Sequence, residues 1–183
     1  MMKRQTQSKN CLKEALISLL LEKPFEAITV SDLCQKAGIN RGTFYLHYQD
    51  KNDMMEQLKN NILDHLFLIL DDASIYSEPK LVLEESLYFI KDNFSFVAAL
   101  AQSSYVNFKQ VLKDFIYQVL VTIDNYQTII TSHYNIPFPY ALEVYLSSIE
   151  CIISYWVSQG GKESPKELTQ IILNTVSIDQ KKN

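Results

Sequence analysis

Arg41, Thr43, Tyr45 and His47 occupy alternate positions in the run Ala37-Gly38-Ile39-Asn40-Arg41-Gly42-Thr43-Phe44-Tyr45-Leu46-His47-Tyr48. Each offers a hydrogen-bond donor, and Arg41 adds a fixed positive charge. A guanidinium donates two parallel bonds to a guanine edge or clamps a phosphate. A threonine hydroxyl and methyl suit a phosphate or a thymine. Gly42 has no side chain, so the backbone there can approach bases closely. Leu46 stands where it can meet a thymine methyl. This is the chemistry of recognising a polyanion rather than of making or breaking bonds. Tyr45 could instead be a core aromatic, as could Tyr48 with more reason, and His47 could be a plain surface residue.

Such a set works only on a short helix docked against a second one. Phe44 faces the core and locks the pair, while Asn40 caps the short helix. Upstream, Thr29-Val30-Ser31-Asp32 reads as a capping box, with Asp32 three residues after Thr29. The helix that follows, Val30 to Ala37, stops at Gly38, a residue suited to the left-handed C-terminal position. Two helices joined by a short turn containing glycine form a helix-turn-helix, and in that motif the second helix enters the major groove. A first helix over 7–22 supplies the packing stripe Cys11, Ala15, Leu16, Leu19 and Leu20, and Lys23-Pro24 ends it. Lys51, opening the next helix, is well placed for a phosphate. Lys3, Arg4 and Lys9 could form a phosphate-contacting arm or a solvated terminus.

The rest of the chain reads as further helices. One runs from Lys51 to about Leu70, with Met55, Leu58, Ile62, Leu66, Ile69 and Leu70 as its stripe. Asp71 to Pro79 is a polar connection. More helices are expected over 80–91, 94–102, 104–133, 138–159 and 165–177, broken by Pro137, Pro139 and Gly160-Gly161. The fold class is all-α: an N-terminal three-helix helix-turn-helix domain over 1–50, then a helical bundle over 51–183.

Composition excludes several classes. With 4 Gly and 5 Pro the chain lacks the turns an all-β fold needs. No apolar run approaches the roughly 18 residues of a membrane span. The polar start predicts no signal peptide, and the scattered cysteines Cys11, Cys34 and Cys151 predict reduced, mostly buried thiols of a cytoplasmic protein. No glycine-rich phosphate loop, metal-spaced cluster or nucleophile–base arrangement is present in the sequence, so no enzyme activity, metal or cofactor is expected. The net charge of −4 is uneven: residues 1–60 hold nine basic and seven acidic side chains, residues 61–183 eight and fourteen. A mildly basic head on an acidic body fits a protein whose head alone meets phosphate.

In the body, 138–157 is apolar nearly all round, so both its sides must be covered. One side packs on its own domain and the other needs a partner. With the last helix it predicts a two-fold, four-helix dimer interface of Leu142, Tyr145, Ile149, Ile152, Ile153, Trp156, Leu168, Ile171, Ile172 and Thr175. A monomer in which both are core helices is the alternative. The aromatics Tyr88, Phe89, Phe96, Tyr105, Phe108, Phe115 and Tyr117 could line a small-molecule pocket or be plain core. Glu143 and Glu150, seven apart, share a helix face and need partners.

The run Ile28-Thr29-Val30-Ser31-Asp32-Leu33-Cys34-Gln35-Lys36-Ala37-Gly38-Ile39-Asn40-Arg41-Gly42-Thr43-Phe44-Tyr45-Leu46-His47-Tyr48, then Lys51, resembles the signature of the TetR family of transcriptional regulators. The likeness covers the first fifty or so residues and is looser beyond. It implies DNA contacts from Thr29, Ser31, Arg41, Gly42, Thr43, Tyr45, His47 and Lys51. It also implies double-stranded DNA as a partner, assembly as a homodimer, most often as a repressor, an unknown small-molecule effector, and no membrane. An adaptor acting through a partner protein is the competing reading.

Overall fold

The computed structural model describes residues 2–70 and 79–176, all of whose regular elements are helical. α1 (Met2–Glu22) buries Leu12, Ala15, Leu16 and Leu19. Pro24 ends it and starts a single 3-10 turn, Phe25–Ala27. α2 (Val30–Ala37) packs on α1 through Leu33 and Cys34. Gly38 then takes φ +67°, and Ile39 N–H reaches back to the Cys34 carbonyl at 3.0 Å. That left-handed step suits glycine and satisfies carbonyls α2 would leave open. α3 (Arg41–Tyr45) follows after three residues, and α4 (Lys51–Leu70) buries Met54, Met55, Leu58 and Leu66.

Beyond residue 78 come α5 (Pro79–Asp92), α6 (Phe94–Gln102), α7 (Phe108–Leu120), α8 (Tyr126–Tyr134), α9 (Phe138–Ser158) and α10 (Pro165–Val176). The expected single helix over 104–133 is two helices, α7 and α8. Residues 103–107 precede α7 without helix, and Asn125, at φ 58°, breaks the chain before α8. Asparagine enters this region at low cost, so the break needs neither glycine nor proline. The expected polar connection 71–79 falls almost wholly outside the described residues.

Two compact units result: Met1–His65 with Ser95–Asn107, and Leu66–Phe94 with Phe108–Asn183. The sequence reading puts its boundary at residue 50, whereas the first fifteen residues of α4 pack with the head. In the second unit α7, α8 and α10 all pack on α9, and α10 also packs on α5. Trp156 is the centre of this packing at 1% exposure. Its indole N–H donates to the Glu163 carbonyl at 3.0 Å, and its ring meets Phe94 edge-on with centroids 5.5 Å apart. The Lys91 ammonium lies over both rings and donates to the Gly161 carbonyl. A Cβ on Gly161 would come within 2.6 Å of the Phe94 ring, so both its φ of +64° and this contact require glycine. No single helix among the described residues is long and apolar enough to cross a membrane.

Candidate nucleic-acid interface

α3 is one turn long and is held in place from both ends. The Asn40 side-chain oxygen accepts from Thr43 N–H at 2.8 Å and from the Thr43 hydroxyl at 3.0 Å. Phe44 is fully buried, with Tyr45 edge-on at 5.4 Å and Tyr48 at 5.7 Å. One side chain per turn pointing inward leaves the others outward. Tyr45 is 56% and Leu46 75% exposed, and Arg41 and Gly42 are exposed as well. Arg41 has no hydrogen-bond or ion-pair partner among the described residues. The surface therefore offers a guanidinium, a phenol, an isobutyl group and the unused Asn40 amide N–H₂ side by side. Ser31 is exposed at the start of α2.

Other expected contacts are committed inside the protein. The Thr29 hydroxyl donates to Asp32 Oδ2 at 2.9 Å and accepts from Asp32 N–H at 3.1 Å, so the expected capping box is present. Both hydroxyl functions are used there, and only the outer surface of Thr29 is open to a ligand. The same Asp32 oxygen accepts from Thr29 N–H and from Lys23 Nζ at 2.8 Å. Sequence spacing does not reveal Lys23, because the ion pair spans nine residues of irregular chain. These donors hold the Asp32 carboxyl at about 2, below the usual 3.8, with the Lys23 bond contributing most. A folded-state value below the unfolded one means the stabilisation is complete above about pH 4 and is lost as pH falls through about 2. Thr29→Ala should cost about 1 kcal/mol, the usual worth of such a cap. The melting temperature of Asp32→Asn should fall less than that of wild type between about pH 5 and pH 2; equal slopes would show that Asp32 is not the group titrating.

His47 is half-buried, its ring nitrogen 2.7 Å from the Ser8 hydroxyl of α1. Burial, aided by the nearby Lys9 charge, pushes its pKa below the usual 6.5, so the ring is neutral near pH 7. It fastens α3 to α1 across 39 residues, a pairing no local pattern shows.

Lys51 departs from the expectation of a free phosphate contact. Its ammonium donates to the carbonyls of Phe25, Glu26 and Ile28 at 2.9, 2.8 and 2.7 Å and lies 4.9 Å from the Phe25 ring centroid. All three protons are used in closing the 3-10 turn, where the Phe25 carbonyl also accepts from Ile28 N–H at 3.0 Å and those of Glu26 and Ile28 have no backbone donor among the described residues.

The expected pocket aromatics divide between the units. Phe96 and Tyr105 belong to the first, where Phe96 is buried and Tyr105 lies 4.5 Å from Phe25. Tyr88, Phe89, Phe108, Phe115 and Tyr117 belong to the second, where Phe115 pairs with Phe67 at 5.1 Å and Tyr88 and Tyr117 are exposed. A groove of about 550 Å³ lies in the head, between Ser8 and Cys11 on α1 and Asn40, Thr43 and His47 by α3.

Of the expected interface residues, Ile149, Ile153, Trp156, Leu168 and Ile172 are buried within their own unit. They lie in the core of that unit rather than on open surface, where α7, α8 and α10 pack on α9 and α5 packs on α10. Leu142, Tyr145 and Ile152 are half-buried, and Ile171 and Thr175 are exposed. Burial raises the Tyr145 phenol to about 12. The open stripe of α9 is Tyr140, Val144, Cys151 and Tyr155, so Cys151 is not the buried thiol expected. Glu143 is exposed and paired with Lys113 at 3.0 Å, whereas the buried Glu150 accepts from the Ser154 hydroxyl at 2.7 Å.

The sequence model described as bacterial regulatory proteins, tetR family, matches residues 13–58, and a transcriptional regulator C-terminal region matches residues 77–177. The chain belongs to the TetR family. It is similar to the uncharacterized HTH-type transcriptional regulator YxbF of Bacillus subtilis (strain 168), with 25% identity over 91% of this chain. It spans only 44% of the length of that relative. A second relative from the same organism, YvdT, is 35% identical over 35% of this chain and 34% of its own length. Among solved structures, a TetR transcriptional regulator from Streptococcus agalactiae 2603V superposes with a TM-score of 0.65 at 25% identity, over 95% of this chain and 96% of its own. The dihydroxyacetone kinase operon activator DhaS shares the fold at a TM-score of 0.61 and 20% identity, over 91% and 92% of the two chains.

Proposed function

We propose that this chain is a homodimeric transcriptional repressor that binds a palindromic DNA operator and leaves it when a small molecule binds the body. The observation that carries the reading is the uncommitted face of α3. Arg41, Tyr45 and Leu46 are exposed beside a rigidly capped and anchored turn. A charged and aromatic surface held this firmly loses little entropy on binding. Asn40, Gly42, Thr43 and Ser31 complete the contact surface, and His47 and Thr29 position it. One turn of helix reads few bases, so selectivity requires a second copy at a half-site roughly one helical turn away. The stripe Tyr140, Val144, Cys151 and Tyr155, with Ile171 and Thr175, is the surface proposed to meet that copy. The effector is proposed to enter the second unit, near Phe108, Phe115 and Tyr117, and to favour a conformation whose heads no longer match the operator spacing.

Binding is tested by fluorescence anisotropy with operator duplexes selected from a random pool. Arg41→Ala should weaken specific binding by about 1–3 kcal/mol, roughly fivefold to 150-fold. Tyr45→Ala should weaken it in the same direction, with melting temperature nearly unchanged because both side chains are exposed. Wild-type affinity in both variants would overturn the assignment of α3 as the reading element.

A further inference from the structure

We propose that Lys9 of α1 is a DNA-backbone contact that brackets the reading helix from the end opposite Arg41; this rests on the DNA-reading function above. The inference comes from where the head's cations are spent. Lys23 is paired with Asp32, Lys36 with Glu22 and Lys59 with Glu56, at 2.8, 2.8 and 2.6 Å. Lys51 is spent on three carbonyls. Lys13 lies over the Phe96 ring at 5.5 Å. Lys9 and Arg41 make no ion pair and no hydrogen bond among the described residues of the head, and Lys9 is exposed on α1.

These two stand at opposite ends of α3. Arg41 opens it. The Lys9 ammonium lies 6.0 Å from the ring centroid of Tyr48, three residues past its last residue, and its charge is felt by His47. Tyr48 is buried against Phe44, so its ring offers the ammonium a contact at the outer reach of a cation–π pair without neutralising it. Lys9 is itself exposed. A cation without a carboxylate partner beside a surface that meets a duplex takes a phosphodiester oxygen and releases the counterion condensed there. A lysine suits this role, since a phosphate needs a point charge rather than a planar fork.

The test uses the full chain and a random-sequence duplex, for which binding is almost wholly electrostatic, with anisotropy titrations from about 50 to about 200 mM salt. Lys9→Gln should reduce the slope of log affinity against log salt by about 0.9 and weaken binding roughly eightfold near 0.1 M salt. Lys9→Arg should restore the slope, and the melting temperature should be unchanged in both. A wild-type slope in Lys9→Gln, or a slope lost only together with melting temperature, overturns the inference while leaving the reading function standing. A wild-type chain that binds neither random nor selected duplex overturns both.

Discussion

Phe44→Ala removes more function than the loss of any outward-facing side chain of α3. The ring is fully buried, with the Tyr45 and Tyr48 rings against it at centroid distances of 5.4 and 5.7 Å. Truncating a buried phenylalanine typically costs about 3–5 kcal/mol, transfer and cavity together. For a chain of this size that lowers the melting temperature by about 10 °C. α3 has a single turn and no stability of its own, so Arg41, Tyr45 and Leu46 lose their common orientation even where the rest of the head survives. Calorimetry and duplex titration at a temperature below the variant's transition separate the two losses. Weakened binding in a chain whose head is folded is the expected result; a wild-type melting curve would show that Phe44 does not anchor α3.

Lys51→Met is the second large effect, and it separates two readings of one residue. Methionine keeps most of the apolar stem over the Phe25 ring but removes three donors. The Glu26 and Ile28 carbonyls then depend on water, while the Phe25 carbonyl keeps the Ile28 N–H, at a cost of about 1.5–3 kcal/mol for a charge-assisted set that is partly exposed. The 3-10 turn leads directly into Thr29, so loosening it misplaces the start of α2. Thermal melting should fall sharply while the salt dependence of duplex binding keeps its wild-type slope. A slope reduced by about 0.9 with melting unchanged would return Lys51 to the role of a phosphate contact.

Both effects show what kind of information a local sequence pattern contains. Phe44, Asn40, Gly38 and the Thr29–Asp32 box were legible because each acts within four residues of itself, where spacing and residue type dictate geometry. Lys51 was not legible in this way. A lysine at the start of a helix has the same local pattern whether its ammonium meets water, a phosphate or carbonyls 23 to 26 residues upstream. His47 is a similar case, its ring fixed by Ser8 in another helix. The break between α7 and α8 escaped because asparagine tolerates the left-handed region without announcing it as glycine does.

α9 gives the same lesson on a larger scale. Its sequence is apolar around the whole circumference, which requires two covers but does not say which side faces its own chain. The structure buries Ile149, Ile153 and Trp156 and leaves Tyr140, Val144, Cys151 and Tyr155 open. Composition alone would have exposed tryptophan and isoleucine to a partner as readily as tyrosine and valine.

By itself, then, the sequence determined the helical class and the capped helix-turn-helix, because hydrophobic period, caps and turn residues act over a few positions. The tertiary structure alone decided which cations stay free and which side of α9 is core. Those choices depend on partners distant in the chain, where a carbonyl or carboxylate in reach consumes an ammonium and a packed neighbour consumes a face.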